Sequence, residues 1–238
     1  MRVADIREHP SPNRNARPAG ARPKLLVLHY TGMLTAQAAL ERLCDPAAEV
    51  SAHYLIDEDG TVVALVPEEL RAWHAGRSWW RGRAGLNDVS VGIELVNPGH
   101  EWGYRPFPPV QTEALVTLAR GILDRWSIPA WSVVAHSDIA PDRKEDPGEL
   151  LDWRGLAAEG VGVWPAPGGE APPDEAAART MLATIGYPLE PQGVTIGQTL
   201  TAFQRRFRPQ LVDGALEPGT MGRLRDVAGL LGRLHATT

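Results

Sequence analysis

Two histidines stand near the ends of apolar runs, His29 in LVLHYTG and His136 in VVAHSDI, and strand ends are where a sheet presents side chains to a cleft. Asp146 follows His136 by ten residues, across a loop stiffened by Pro141 and Pro147. Two neutral imidazoles and one carboxylate can hold a catalytic zinc ion and leave a fourth position open. Spacing alone favours a blander arrangement, two separate, partly buried histidines and a turn aspartate in EDPG. Glu94 lies inside SVGIELV, where a charge in a strand needs a reason, and Lys144 precedes Asp146 by two residues. Taken singly, these two read as a strand-edge acid and a turn lysine.

Competing chemistries lack their residues. HEWGY at 100–104 begins like the zinc-binding H-E-x-x-H, but Tyr104 stands where the second histidine belongs, and Trp102, Gly103 and Pro106 argue against a helix there. There is no G-x-S-x-G elbow and no glycine-rich phosphate loop. Cys44 is the only cysteine, so no internal disulfide can form, and at the end of LERLCDP it reads as a small buried hydrophobe. A formal net charge of -5 argues against a nucleic-acid partner, which needs a basic face. Hydrophobic residues at 43% and charged residues at 22% are ordinary for a globular chain, and no apolar run is long enough to span a bilayer.

The elements that must position these residues follow from periodicity. KLLVLHY at 24–30 is a nearly continuous apolar run, the pattern of a strand buried on both faces. TAQAALERLCD at 35–45 has helical spacing with Thr35 as N-cap. SAHYLI and TVVALV, separated by Asp57 to Gly60, form a hairpin, SVGIELV is a further strand, and residues 110–126 carry a helical apolar face. WSVVAHSDI reads as the next strand. Strands and helices thus intermingle through about residue 155, giving an α/β class with a mixed central sheet flanked by helices. GVGVWPAPGGEAPPDE is too rich in proline and glycine for regular structure, and three helical segments, 174–186, 196–208 and 217–234, follow it. The expected division is residues 1–159, a linker over 160–173, and a small three-helix module over 174–238.

LHYTGM, SAHYLIDEDGTV, RAWHAGRSWWRG, NDVSVGIELVNPG and AHSDIAPDRKEDPG occur in the order and phrasing of the zinc-dependent type-2 N-acetylmuramoyl-L-alanine amidases, whose fold is shared with peptidoglycan recognition proteins. The resemblance covers roughly residues 10–158, and SPNRNARP resembles the opening segment of one branch of that family. AFQRRFRPQLVDG resembles the small three-helix peptidoglycan-binding module found at the end of that branch. The resemblance implies the type-2 amidase fold for 1–159, His29, His136 and Asp146 as ligands of one zinc ion per chain, Glu94 as the acidic catalytic residue and Lys144 as the basic one. Ala52 stands where the phage enzymes of the family carry a catalytic tyrosine, so the chain is expected to rely on Glu94.

The implied reaction is hydrolysis of the amide between the lactyl group of N-acetylmuramic acid, or its 1,6-anhydro form, and the L-alanine of the stem peptide. Muropeptides or peptidoglycan fragments are the expected partners. A non-hydrolytic recognition protein using the same cleft is the alternative, and the presence of all three ligands weighs against it. His53 and His74 lie in family-like motifs and read as cleft-lining or simply packed, whereas His9, His100 and His235 read as exposed. Trp73, Trp79 and Trp80 with Arg77, Arg81 and Arg83 read either as a sugar-stacking, carboxylate-binding wall or as an ordinary cationic loop pinned by buried tryptophans. The amino-terminal stretch has no apolar run of signal-peptide length, so a cytoplasmic location in peptidoglycan recycling is expected; a start site misassigned downstream of a true signal would instead place an exported amidase in the periplasm. The carboxyl-terminal helices are expected to serve substrate engagement, with a chain ending near residue 158 folding alone.

Overall fold

The computed structural model describes residues 6–236. Its strands are β1 (Arg7–Glu8), β2 (Arg14–Ala16), β3 (Leu25–Tyr30), β4 (Tyr54–Ile56), β5 (Val62–Ala64), β6 (Leu70–Ala72), β7 (Trp79–Trp80), β8 (Arg83–Ala84), β9 (Ser90–Leu95) and β10 (Val133–Ala135). Its helices are α1 (Ala36–Cys44), α2 (Gly99–Trp102), α3 (Pro109–Trp126), α4 (His136–Ile139), α5 (Trp153–Ala158), α6 (Glu175–Ile185), α7 (Ile196–Phe207) and α8 (Pro218–Ala236). Six strands form the central sheet in the order β1-β5-β4-β9-β3-β10. Within this sheet only the β4–β5 hairpin pairing is antiparallel, so the mixed sheet and the α/β class are as expected.

The two-residue period of a strand divides the sheet into two faces. Leu26 and Leu28 of β3 and Val91, Ile93 and Leu95 of β9 pack with Leu115, Leu118 and Ile122 of α3 and with Trp153 and Leu156 of α5. Leu25 and Val27 of β3 and Val134 of β10 point the other way, into a core they share with Leu182 of α6, Phe203 of α7 and Leu224 of α8. This double cover is why β3 reads as a continuous apolar run. His29, two residues beyond Val27, and the alternating residues Ser90, Gly92 and Glu94 of β9 fall on that second face.

Helix α1 starts where its cap predicts, with the Thr35 hydroxyl accepting from the Ala38 amide at 3.2 Å. Cys44 ends that helix half-buried rather than sealed in the core. The expected strand WSVVAHSDI stops at Ala135, because the Asp138 carboxylate accepts the Ala135 amide at 2.9 Å and turns the chain into α4. HEWGY also departs from expectation, since Gly99–Trp102 forms one helical turn, ended by Gly103 at φ 106°. No described helix is long and apolar enough to cross a membrane.

Candidate active site

The register of three parallel strands brings the chemistry together. Val134 pairs with Val27 and Ala135 with Leu28, so the next residues in each chain, His136 and His29, emerge side by side at the same edge of the sheet. On the other flank of β3, His29 pairs with Glu94. The loop after α4 then returns Asp146, and the Ser137 amide donates to the Asp146 carbonyl at 2.9 Å to hold it there.

His29 Nδ1 lies 2.9 Å from His136 Nδ1 and 3.0 Å from Asp146 Oδ2, and His136 Nδ1 lies 2.9 Å from that same oxygen. All three residues are buried, at 1%, 3% and 6% exposure, which leaves water little room to relieve the crowding of their lone pairs. Burial and the neighbouring His136 push the His29 imidazole down to about 4, so it is neutral near pH 7. Burial alone would raise the Asp146 carboxyl, but the close approach of His136 first, and then of His29, outweighs it and holds the group well below the usual carboxylate range. Two imidazole nitrogens and an ionised carboxylate oxygen converging on one point are the donor set that a divalent metal ion requires. His29, His136 and Asp146 can therefore hold a metal ion.

A cavity of about 490 Å³ opens over this cluster, lined by Glu94, Lys144, His74, Trp73 and Arg42 among others. Glu94 is half-buried, and its Oε2 atom is enclosed with no hydrogen-bond partner among the described residues. Burial and the negative charge of Asp146 push its carboxyl well above the usual range, with Lys144 opposing them. That direction lets a carboxyl carry a proton at neutral pH. Lys144 is half-buried on the same wall, its amide donating to the Ala140 carbonyl at 3.0 Å.

The remaining histidines divide by burial. His53 and His74 are buried, and of these two His74 lines the cavity, as does His100 at its rim. His9, His100 and His235 are exposed. The aromatic and cationic wall does not assemble, because neighbours along this segment point to different sides. Trp73 alone of that group lines the cavity; Trp80 is buried edge-on against Tyr187, and Arg81 lies 4.6 Å over the ring of Trp131. Arg77 instead pairs with Asp142.

Several residues that brace the site carry no signal readable in the sequence. Arg143 donates to the carbonyls of Ala75 and Arg77 at 2.6 Å each, tying the WHAGR segment to the loop that bears Asp146. Asn87 Oδ1 accepts the amides of His74 at 3.0 Å and Ala75 at 2.7 Å. Arg17, in the SPNRNARP stretch, donates to the carbonyls of Glu68, Asn87 and Ser90. Arg205 of α7 reaches Glu145 on the cavity wall at 3.1 Å.

Comparison with known proteins agrees with this geometry. The profile of the Amidase_2 family, described as N-acetylmuramoyl-L-alanine amidase, matches residues 19–149. The chain is 40% identical over 233 residues to N-acetylmuramoyl-L-alanine amidase AmiD of Escherichia coli K12, covering 87% of this chain and 83% of that one. The structure of E. coli AmiD in complex with the substrate anhydro-N-acetylmuramic acid-L-Ala-D-gamma-Glu-L-Lys superposes with a TM-score of 0.80 at 37% identity, over 92% of this chain and 94% of that one. The 1,6-anhydro-N-acetylmuramyl-L-alanine amidase AmpD of Enterobacter cloacae is 37% identical over 168 residues, so that 88% of it is matched by 63% of this chain. With the family profile and the match to AmiD spanning the residues that build the cleft, the chain belongs to the N-acetylmuramoyl-L-alanine amidase family.

Proposed function

We propose that this protein is a zinc-dependent amidase that hydrolyses the bond between the lactyl group of N-acetylmuramic acid, or its 1,6-anhydro form, and the L-alanine of the stem peptide. The observation that carries the reading is the buried triangle of His29, His136 and Asp146 beneath a cavity that also holds Glu94 and Lys144. Zinc, when bound, supplies Lewis acidity and makes water a competent nucleophile near neutral pH. The protein's own part is proton movement and charge compensation. Glu94 in its ionised form takes a proton from the attacking water at its unpartnered Oε2, and the raised proton affinity of its buried carboxyl lets it hold that proton until it delivers it to the alanine nitrogen as the C–N bond breaks. Lys144 faces the negative charge that develops on the carbonyl oxygen.

The substrate follows from chemistry shared with the relatives, whose names and bound ligand specify the muramyl–alanine amide and the anhydro sugar. Cytoplasmic recycling of muropeptides is the setting we propose for that reaction, and recovery of the chromosomally expressed protein in the periplasm by cell fractionation would overturn it. Within the chain, residues 1–159 are proposed to carry the chemistry, and residues 174–238, beyond the 160–173 connection, to act as a peptidoglycan-binding-like module that engages substrate. The contact of Arg205 with Glu145 at the cavity wall supports the latter role.

Metal content tests the central assignment. The purified chain is expected to hold one zinc ion, and His29→Ala or His136→Ala to lose it together with activity, because two remaining protein ligands hold the ion far less tightly. Full zinc occupancy in either variant would place the metal elsewhere.

A further inference from the structure

On the side of His29 away from His136 and Asp146, a second chain of donors and acceptors starts at His74 and runs inward to Ser90. His29 Nε2 lies 3.0 Å from His74 Nδ1, His74 Nε2 lies 3.0 Å from Ser90 Oγ, and Ser90 Oγ lies 2.8 Å from the Leu86 carbonyl oxygen. The direction of the chain is fixed from its far end. A carbonyl oxygen only accepts, so the single Ser90 hydroxyl proton goes to Leu86, and Ser90 Oγ must accept from His74. His74 therefore carries its proton on Nε2. The buried His74 ring hydrogen-bonds to His29 and Ser90 and to no carboxylate among the described residues, so nothing there supports a second proton and its Nδ1 is a bare acceptor. It accepts the Nε2 proton of His29, which leaves His29 Nδ1 as a lone pair facing His136 and Asp146.

The fold is built to seat this ring. An ideal Cβ placed on Gly92 would lie 2.5 Å from Cγ of His74, so the ring occupies the space that any side chain on that strand position would fill. Ser90 and Gly92 alternate with Val91 and Ile93, the residues that face α3, and so lie on the same face of β9 as Glu94. Asn87 holds the main chain of His74 and Ala75 in place, and all of His29, His74 and Ser90 are buried at 8% exposure or less. Bulk water is kept from offering His29 an alternative partner.

We propose that His74 is a positioning residue for the metal centre: through Ser90 and the Leu86 carbonyl it sets the tautomer and ring orientation of His29, keeping Nδ1 free for a metal ion. This role rests on the metal-site reading given above. A partner of this kind raises the basicity of a ligating imidazole and fixes its ring, and its loss typically weakens metal affinity ~10–100-fold.

Imidazole proton–nitrogen correlation spectra of the metal-free chain, with zinc titration against a chromophoric chelator, test it. The parent chain is expected to show His29 protonated on Nε2 and to bind one zinc ion. In His74→Phe, which keeps a ring but removes both hydrogen-bonding atoms, His29 should redistribute between tautomers and zinc affinity should fall about 10–100-fold. His74→Asn, whose amide oxygen can stand near the lost Nδ1, should recover part of that affinity, and Ser90→Ala should release the tautomer of His74 itself. A folded His74→Phe with the His29 tautomer unchanged and zinc affinity within about twofold of the parent would overturn the role. If His74→Phe fails to fold, an unchanged tautomer at both histidines in Ser90→Ala does the same. A parent that binds zinc while His29 carries its proton on Nδ1 defeats the relay alone, whereas a parent with the Nε2 tautomer that takes up no zinc defeats the metal reading and this role with it.

Discussion

At the scale of single residues, the proposed roles separate groups that would hold a metal from groups that would move protons, and the two kinds of side chain should respond differently to substitution. In that assignment His29 and His136 supply lone pairs, so truncating either removes a ligand, whereas Glu94 supplies a proton site, and its neutral isostere keeps the shape of the wall. Glu94→Gln is accordingly expected to retain zinc at the parent's stoichiometry while losing turnover by about 10²–10⁴, the usual worth of a general acid–base group. Measuring metal content and muropeptide turnover on the same preparation checks this. Parental turnover in that variant would place the proton transfer on another residue. The grouping of His29, His136 and Asp146 with Glu94 and Lys144 at one cavity was legible in the sequence because several motifs occur in register; taken alone, each reads as an ordinary strand or turn residue. His74, Ser90 and Gly92 were not legible in their relation to one another. Their link depends on which face of β9 each residue takes and on the WHAG segment crossing that face, and neither is written in local spacing.

At the scale of elements, periodicity located the pieces well wherever one face of a segment is buried. α1 with its Thr35 cap, the β4–β5 hairpin, β9, α3 and the three carboxyl-terminal helices fall within a few residues of expectation. The failure at 136–139 has a physical cause. The apolar run ends at Ala135, and Ile139 beyond it makes WSVVAHSDI look like more strand, but Asp138 withdraws the Ala135 amide from the sheet and starts α4. Asp138 is itself gripped from far along the chain: the Arg206 guanidinium of α7 reaches its Oδ2 at 2.6 Å, and the Tyr187 hydroxyl donates to its Oδ1 at 2.6 Å. Arg206 also donates to the Val133 carbonyl and stacks 4.2 Å over the Trp153 ring. With Asp138 fully buried and Arg206 at 3% exposure, removing the cation leaves a buried carboxylate uncompensated. Arg206→Met should therefore destabilise the chain by about 3–5 kcal/mol, and adding Asp138→Asn to it should return part of that loss. Urea unfolding of the single and double variants measures both, and a single variant within about 0.5 kcal/mol of the parent would contradict the clamp.

At the scale of the whole molecule, the carboxyl-terminal helices are more than an appended module. Leu25 and Val27 of β3, Val134 of β10 and Ile139 of α4 share one core with α6, α7 and α8, so these helices cover the sheet face from which His29 and His136 emerge. Composition marked the proline- and glycine-rich connection but could not reveal that the helices beyond it fold back onto the sheet. An independent module predicts that a chain ending near residue 158 stays folded; the shared core predicts exposed apolar surface, loss of the Asp138 clamp and a chain that aggregates or binds a hydrophobic dye. Solubility and dye binding of that truncated chain decide between them. One bond of the substrate is decisive. Incubating the zinc-loaded protein with an anhydromuropeptide in ¹⁸O-labelled water and weighing the products by mass spectrometry should give free anhydro-N-acetylmuramic acid carrying the label in its lactyl carboxyl group, and an unlabelled stem peptide beginning with L-alanine. Intact substrate in the presence of zinc-loaded protein, or cleavage at any other bond, would contradict it.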